Sequence, residues 1–388
     1  MFRIPISLSA VLFCLAVIPA LHSQEIPDIP TIDISARTDL QTVIAQGTPE
    51  IYQGHPTSVL MPDGQTLFAV WSIDHGGYAG PMAVSRDAGK TWTRIDERLP
   101  EGYRHHKNCP SIYRLVGKEG EPFLWVFSAH PLMPRIVSRD NGETWTEEEP
   151  LGFKNVMAFS SIIPKNPDKQ DGTYLGFYHH RVSENGTVFE GEPKGPGRLE
   201  VVMTETRDAG WTWSEPKVIV SIPETADHPK KDPCEPCAFW SPDKTEICCL
   251  MRENTHQGRS LVIFSSDRGE NWTEPTDTPW GLTGDRHAVT YLNDGSVFAA
   301  FRDRAPGSET QGHFTAWIGP YETIKKGTSE GFRLKLLHSC AGPDCGYPGV
   351  HTLADGTVLA LTYIKYQDNN DKHSVVEVRI PEEILTKR

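Results

Sequence analysis

Six short apolar runs recur along the chain, each entered through a polar turn. The turns are Asp63-Gly64, Glu119-Gly120, Asp171-Gly172, Asp243-Lys244, Asp294-Gly295 and Asp355-Gly356, and the runs that follow read LFAVW, FLWVF, YLGFY, EICCLM, VFAAF and VLALTY. They are rich in β-branched and aromatic residues and bounded by turn formers, which predicts strands rather than helices. A second, less apolar strand precedes each turn: GHPTSV (54–59), NCPSIY (108–113), AFSSII (158–163), CEPCAF (234–239), DRHAVT (285–290) and GYPGVH (346–351). Six equivalent hairpins fill residues 51–388, and residues 24–50, polar and Pro-containing, read as a lead-in. Aligned on their turns, the first strands present one ring of positions: His55, Cys109, Phe159, Glu235, Arg286 and Tyr347. The second strands end on Asp74-His75, His130, His179-His180-Arg181, Arg252-Glu253, Arg302-Asp303-Arg304 and Tyr363.

A motif lies between these hairpins. Ser85-Arg86-Asp87-Ala88-Gly89-Lys90-Thr91-Trp92 is repeated, with changes, at 138–145, 206–213 and 265–272, always as S/T-x-D-x-G-x-T/N-W. The carboxylate can accept backbone N–H groups two or three residues on, glycine supplies a positive φ, and tryptophan closes the turn with a large apolar ring. Successive Asp residues are 53, 68 and 59 residues apart. Repeats of about 40–50 residues with four strands each signal propeller blades, and longer periods accommodate loop insertions.

The motif resembles the Asp-box of the sialidase (neuraminidase) superfamily. The resemblance implies an all-β, six-bladed β-propeller with the boxes on outer turns, away from any chemistry; a β-sandwich, the other fold considered, does not explain six equivalent hairpins. It also implies a site at the mouth of the central channel, where propellers commonly bind ligands.

Composition agrees with a turn-rich β protein: 33 Gly, 31 Pro and 10 Trp in 388 residues. A net charge of −13 argues against nucleic acid or an anionic membrane as partner, though a local arginine cluster can still hold an anion. Met1-Phe2-Arg3 followed by the apolar stretch 4–20 reads as a signal peptide over residues 1–23, hence a secreted or periplasmic protein with no membrane contact after cleavage. Export makes a Cys340–Cys345 disulfide reasonable. Cys234, Cys237, Cys248 and Cys249 lack a familiar zinc-ligand spacing. No metal and no cofactor is expected. Asn185-Gly186-Thr187 and Asn271-Trp272-Thr273 are glycosylation sequons that matter only in a host that modifies exported proteins.

On the family pattern, Glu235 and Tyr347 match the paired glutamate and nucleophilic tyrosine, an exception among retaining glycosidases. A neutral phenol approaches an anionic sugar without the repulsion that a carboxylate would meet, and the glutamate takes its proton. Asp74 matches the acid/base aspartate, in a loop softened by Gly76 and Gly77, with His75 placed to share the proton. Arg252, seventeen residues after Glu235, matches one of three arginines that grip the substrate carboxylate. The other two are missing: Gln53-Gly54-His55-Pro56 stands where the first belongs, and His313 where the third is expected. Arg286, Arg302 and Arg304 are candidate replacements, with His55 and His75 as further binding residues; the three arginines could equally pair with Asp285, Asp303 and Glu253. The expected partner is an acidic glycan. The expected activity is exo-hydrolysis of a terminal acidic sugar, sialic acid first. The alternatives are a hydrolase or lyase on a uronate or sulfated glycan, where the histidines His55, His75, His179, His180 and His287 would matter more, and a glycan- or protein-binding propeller without catalysis.

Overall fold

A computed structural model describes residues 27–191, 197–225 and 230–386 of the chain. The 1–23 signal-peptide expectation therefore lies outside the described residues. The strands form six sheets arranged as a six-bladed β-propeller. Each of the first four blades is a four-stranded antiparallel meander, beginning with Gln53–Leu60, Ser111–Val116, Ser161–Pro164 and Pro233–Trp240. The fifth starts with Gly284–Tyr291 and the sixth with Cys345–Thr352.

Within the stretch 24–50, read from sequence as a lead-in, two described segments join the wheel as strands. Gln41–Ala45 pairs antiparallel with Ser374–Ile380 and becomes the outer strand of the sixth blade. Thr31–Asp33 adds in parallel to Phe332–Leu337 as a fifth strand on the fifth blade. A circular sheet array must close chain end on chain start, and the pairing of Gln41–Ala45 with Ser374–Ile380 makes that closure. The segment is too short and too polar for its periodicity to announce this.

The Asp-box hydrogen bonds explain the repeat. Asp140 Oδ1 accepts from Thr144 N at 2.9 Å and Oδ2 from Thr144 Oγ1 at 2.6 Å, while Ser138 Oγ donates to Oδ1 at 2.8 Å and accepts Gly142 N at 2.7 Å. The carboxylate thus reaches four residues on, rather than two or three. Asp87, Asp208 and Asp267 repeat the pattern with Thr91, Thr212 and Asn271. Positive φ is needed twice in each turn, at Asn141 (56°) and Gly142 (91°) in this copy. The box tryptophans reach back to the preceding blade: Trp145 meets Phe68, Trp213 meets Phe127 and Trp272 meets Phe177, ring centroids 6.5, 6.2 and 5.9 Å apart. Each box therefore fixes its own turn and joins two blades.

The expected Cys340–Cys345 disulfide is not formed. Cys340 is an exposed free thiol and Cys345 a buried one, its Sγ directed at Gly312 O at 3.5 Å. Cys345 begins the innermost strand of the sixth blade, and the register of that strand turns its side chain into the core. Cys237, Cys248 and Cys249 are buried strand thiols inside the fourth-blade packing.

Candidate active site at the propeller hub

The ring of first-strand positions is built by a repeated backbone device. His55, Cys109, Glu235, Arg286 and Tyr347 all have positive φ, between 43° and 57°. In four blades the ladder slips at that point, between Gly54 and Thr57, Cys234 and Cys237, Asp285 and Ala288, and Gly346 and Gly349. The left-handed residue bulges out of its strand and re-aims its side chain. Pro56, Pro110, Pro236 and Pro348 follow four of these residues. Proline has no N–H to leave unpaired where the ladder is broken. A bulky residue held at positive φ costs about 1–3 kcal/mol, and such strain gathers at functional sites. Phe159, the sixth position, does not share the device: it is fully buried against Trp213, ring centroids 4.7 Å apart, and belongs to the core between blades.

A cavity of about 240 Å³ opens above the ring. Glu235, Tyr347, Arg252, His55 and His75 line it, with His179, Asn108 and Asn254. Tyr347 Oη donates to Glu235 Oε1 at 2.5 Å, and Arg252 Nη1 donates to the same oxygen at 3.0 Å. The backbone N–H of Glu235 donates to His179 Nδ1 at 3.3 Å. Glu235 is 2% exposed. Burial alone would raise its carboxyl, but Arg252, then Arg286 and the Tyr347 hydroxyl, bring it below the ordinary value. Burial, then the Glu235 charge, pushes the Tyr347 phenol well above its usual range. At rest the pair is therefore a phenol hydrogen-bonded to a carboxylate. Burial also holds the His55 imidazole well below its usual value and takes His179 down to about 3.

The remaining predicted residues are placed differently. Asp74, at φ 66°, is exposed and does not line the cavity. His75, the next residue, does line it; its Nδ1 is 3.4 Å from Asp344 Oδ1. Asp344 also receives the hydroxyls of Tyr52 at 3.0 Å and Tyr363 at 3.1 Å. Arg286 is buried outside the cavity lining, its guanidinium 5.5 Å from the Tyr347 ring centre and Nη1 donating to Ser160 Oγ at 2.5 Å. Arg302 and Arg304 are turned to Asp285, at 2.8 and 2.9 Å. Those two are ion-paired with the chain's own carboxylate, as the pairing alternative anticipates. Among the described residues, no group of three or more His, Cys, Asp or Glu is disposed to hold a metal ion.

Sequence reasoning passed over Asn108, Asn254 and Asp344. Asn108 directly precedes a ring residue and Asn254 follows Arg252-Glu253, so the strand-end alignment pointed near both. Asp344 lies in a loop with no periodicity to mark it.

A family model described as a BNR repeat-like domain matches residues 125–359. Among solved structures, a protein of unknown function from Dyadobacter fermentans aligns over 88% of this chain and 100% of its own, with a TM-score of 0.60 and 16% identity. Trypanosoma rangeli sialidase in complex with the inhibitor DANA aligns over 87% of this chain and 56% of its own, TM-score 0.48, 16% identity. Phage phi92 endosialidase aligns over 88% and 68%, TM-score 0.49, 11% identity. No curated protein sequence matches the chain. The first of these structural likenesses supports the fold; none of the three speaks to substrate.

Proposed function

This chain belongs to the BNR repeat-like family, and from that premise and the hub geometry we propose that it is a glycoside hydrolase with Tyr347 as nucleophile and Glu235 as its base. The observation that carries the reading is the 2.5 Å hydrogen bond from Tyr347 Oη to an ionised, buried Glu235 in the cavity wall. Tyr347 Oη attacks the anomeric carbon as its proton passes to Glu235 Oε1 and the bond to the leaving oxygen breaks. Water then cleaves the aryl glycoside and the phenol recovers a proton. The leaving oxygen needs an acid. Asp74, the family's position for it, stands outside the cavity at rest, whereas His75 is already in the wall with Asp344 behind it. Arg252 supports a terminal acidic sugar, sialic acid or another anionic residue, as it is the one predicted arginine lining the cavity. The basic and then apolar start of the chain supports export.

A panel of fluorogenic glycosides, neutral and acidic, tests the reading. Tyr347→Phe is expected to abolish turnover and keep binding; a variant with the wild-type kcat overturns the assignment. A second reading, a propeller that binds glycans without cleaving them, is favoured by the exposed position of Asp74. Binding on a glycan array with no turnover across the panel would establish it.

A further inference from the structure

Asp285 is 1% exposed and sits among three arginines and a histidine. Oδ1 is 3.2 Å from Arg252 Nε and 3.2 Å from His256 Nε2; Oδ2 is 2.8 Å from Arg302 Nη2 and 2.9 Å from Arg304 Nε. The arrangement is set by backbone register. Asp285 pairs directly with Arg302 across the first hairpin of the fifth blade, and Cys234 pairs with Arg252 across that of the fourth. Three guanidinium groups therefore converge on a carboxylate that the chain itself supplies. Burial would raise the Asp285 carboxyl, but Arg252 and Arg302 bring it far below its usual value, so it stays charged. An incoming carboxylate would have to displace it or lie beside it, and like charges close together in a poorly solvated site repel strongly.

The unpartnered polar atoms of the cavity wall give a second, independent indication. His55 Nε2 and Glu235 Oε2 are buried without a hydrogen-bond partner. Gly76 N donates to His55 Nδ1 at 3.1 Å, which leaves the proton of a neutral ring on Nε2. Arg252 Nε, 3.2 Å from Asp285 Oδ1, likewise makes no hydrogen bond, so the wall offers two free donors and one free acceptor. A hydroxyl both accepts and donates; a carboxylate only accepts.

We propose that Asp285 is the specificity-determining residue of this hub: it occupies the arginine cluster in place of a substrate carboxylate, so the site takes a neutral terminal sugar read through its hydroxyl groups. The proposal rests on the hydrolase reading but replaces its acidic substrate with a neutral one, because the Arg252 that would favour an anion already faces Asp285. Tyrosine still serves as nucleophile, because Glu235 Oε1 is held by Arg252 and acts through the proton it accepts.

The test has an arm that needs no turnover. Binding of free N-acetylneuraminic acid is measured by calorimetry for the wild type, Asp285→Ala and Asp285→Asn, and thermal melts are run with and without acetate. The wild type should not bind the acid at millimolar concentration. Removing the internal charge should tighten carboxylate binding about tenfold or more, the scale of a charge-assisted hydrogen bond. Acetate should raise the melting temperature of Asp285→Ala and leave the wild type unmoved. If Asp285→Ala does not fold, Asp285→Asn keeps the shape and loses only the charge; if neither folds, the wild-type arm decides. In turnover, the wild type should cleave neutral aryl glycosides and leave the sialoside intact. Wild-type binding of N-acetylneuraminic acid as tight as the variants', or wild-type cleavage of the sialoside, overturns the proposal. No turnover on any glycoside, with acetate rescue intact, would sink the hydrolase reading while upholding Asp285 as the internal anion.

Discussion

Replacing Arg252 by methionine removes the cation shared by two buried carboxylates of the hub, Glu235 and Asp285. Arg252 donates to Glu235 at 3.0 Å and lies 3.2 Å from Asp285, and its own side chain is 14% exposed. Breaking a buried pair by deleting one partner costs about 3–5 kcal/mol, because the remaining charge stays buried without its counter-ion. Both carboxylates keep other donors here, Tyr347 for Glu235 and Arg302 and Arg304 for Asp285, so the loss should fall near the lower end, about 3 kcal/mol. Methionine fills most of the volume, which keeps cavity formation out of the result. Urea denaturation at pH 7 should show a midpoint lowered by roughly 1 M.

The pH dependence has a definite sign. In the wild type the Glu235 carboxyl is held below its unfolded value, so its contribution is present above that value and lost as pH falls through the folded one. In the variant the carboxyl loses Arg252 and rises relative to the wild type, so the difference between the two proteins is fully present at neutral pH and shrinks as both carboxyls take a proton. The gap between the two proteins should therefore narrow as pH falls from 7 towards 4. A loss under about 1 kcal/mol at pH 7 would refute the buried-pair reasoning, as would a gap that widens in acid.

Three further outcomes follow from the fold. Asp140→Ala removes the acceptor of two backbone or hydroxyl donors from Thr144 and one from Ser138, and should cost about 1–2 kcal/mol in urea melts, the turn being exposed to water. Trp145→Ala should cost more than Asp140→Ala, because it also takes a ring from the Phe68 contact between two blades; comparing the two midpoints checks this. Glu377, 1% exposed where the sixth blade meets the first, has its carboxyl pushed up to about 8 by burial. Its folded form keeps the proton that the unfolded chain releases at the ordinary value of 4.5, so stability falls as pH rises between those values. Glu377→Gln should flatten that fall in melting temperature, and an unchanged pH profile would remove Glu377 from the account.

The wheel was legible because both its signals are local. The D-x-G-x-T/N-W turns satisfy themselves within eight residues, and the hairpin runs carry their own turn formers. Ring positions were legible because the turns that follow the innermost strands align them, and in three of the blades, at His55, Glu235 and Tyr347, a proline follows the residue where the ladder slips. The closing strand Gln41–Ala45 was not, since its partner Ser374–Ile380 lies at the far end of the chain. Nor does a sequence say which way a loop side chain points, so Asp74 and His75 were equivalent until the structure put His75 in the cavity wall and left Asp74 outside it. Arg302 and Arg304 show the same limit in charge: their residue type suits an external anion or an internal one, and only the pairing of Asp285 with Arg302 across the ladder decides between them.

Nucleophilic catalysis by Tyr347 requires a covalent bond from its Oη to the sugar. A 2-fluoro glycoside with an activated leaving group slows the second step, and intact and peptide mass spectrometry then locate the adduct. One added glycosyl mass is expected on the peptide that contains Tyr347, absent in Tyr347→Phe. An adduct on any other residue, or turnover that persists in Tyr347→Phe, would contradict Tyr347 as nucleophile.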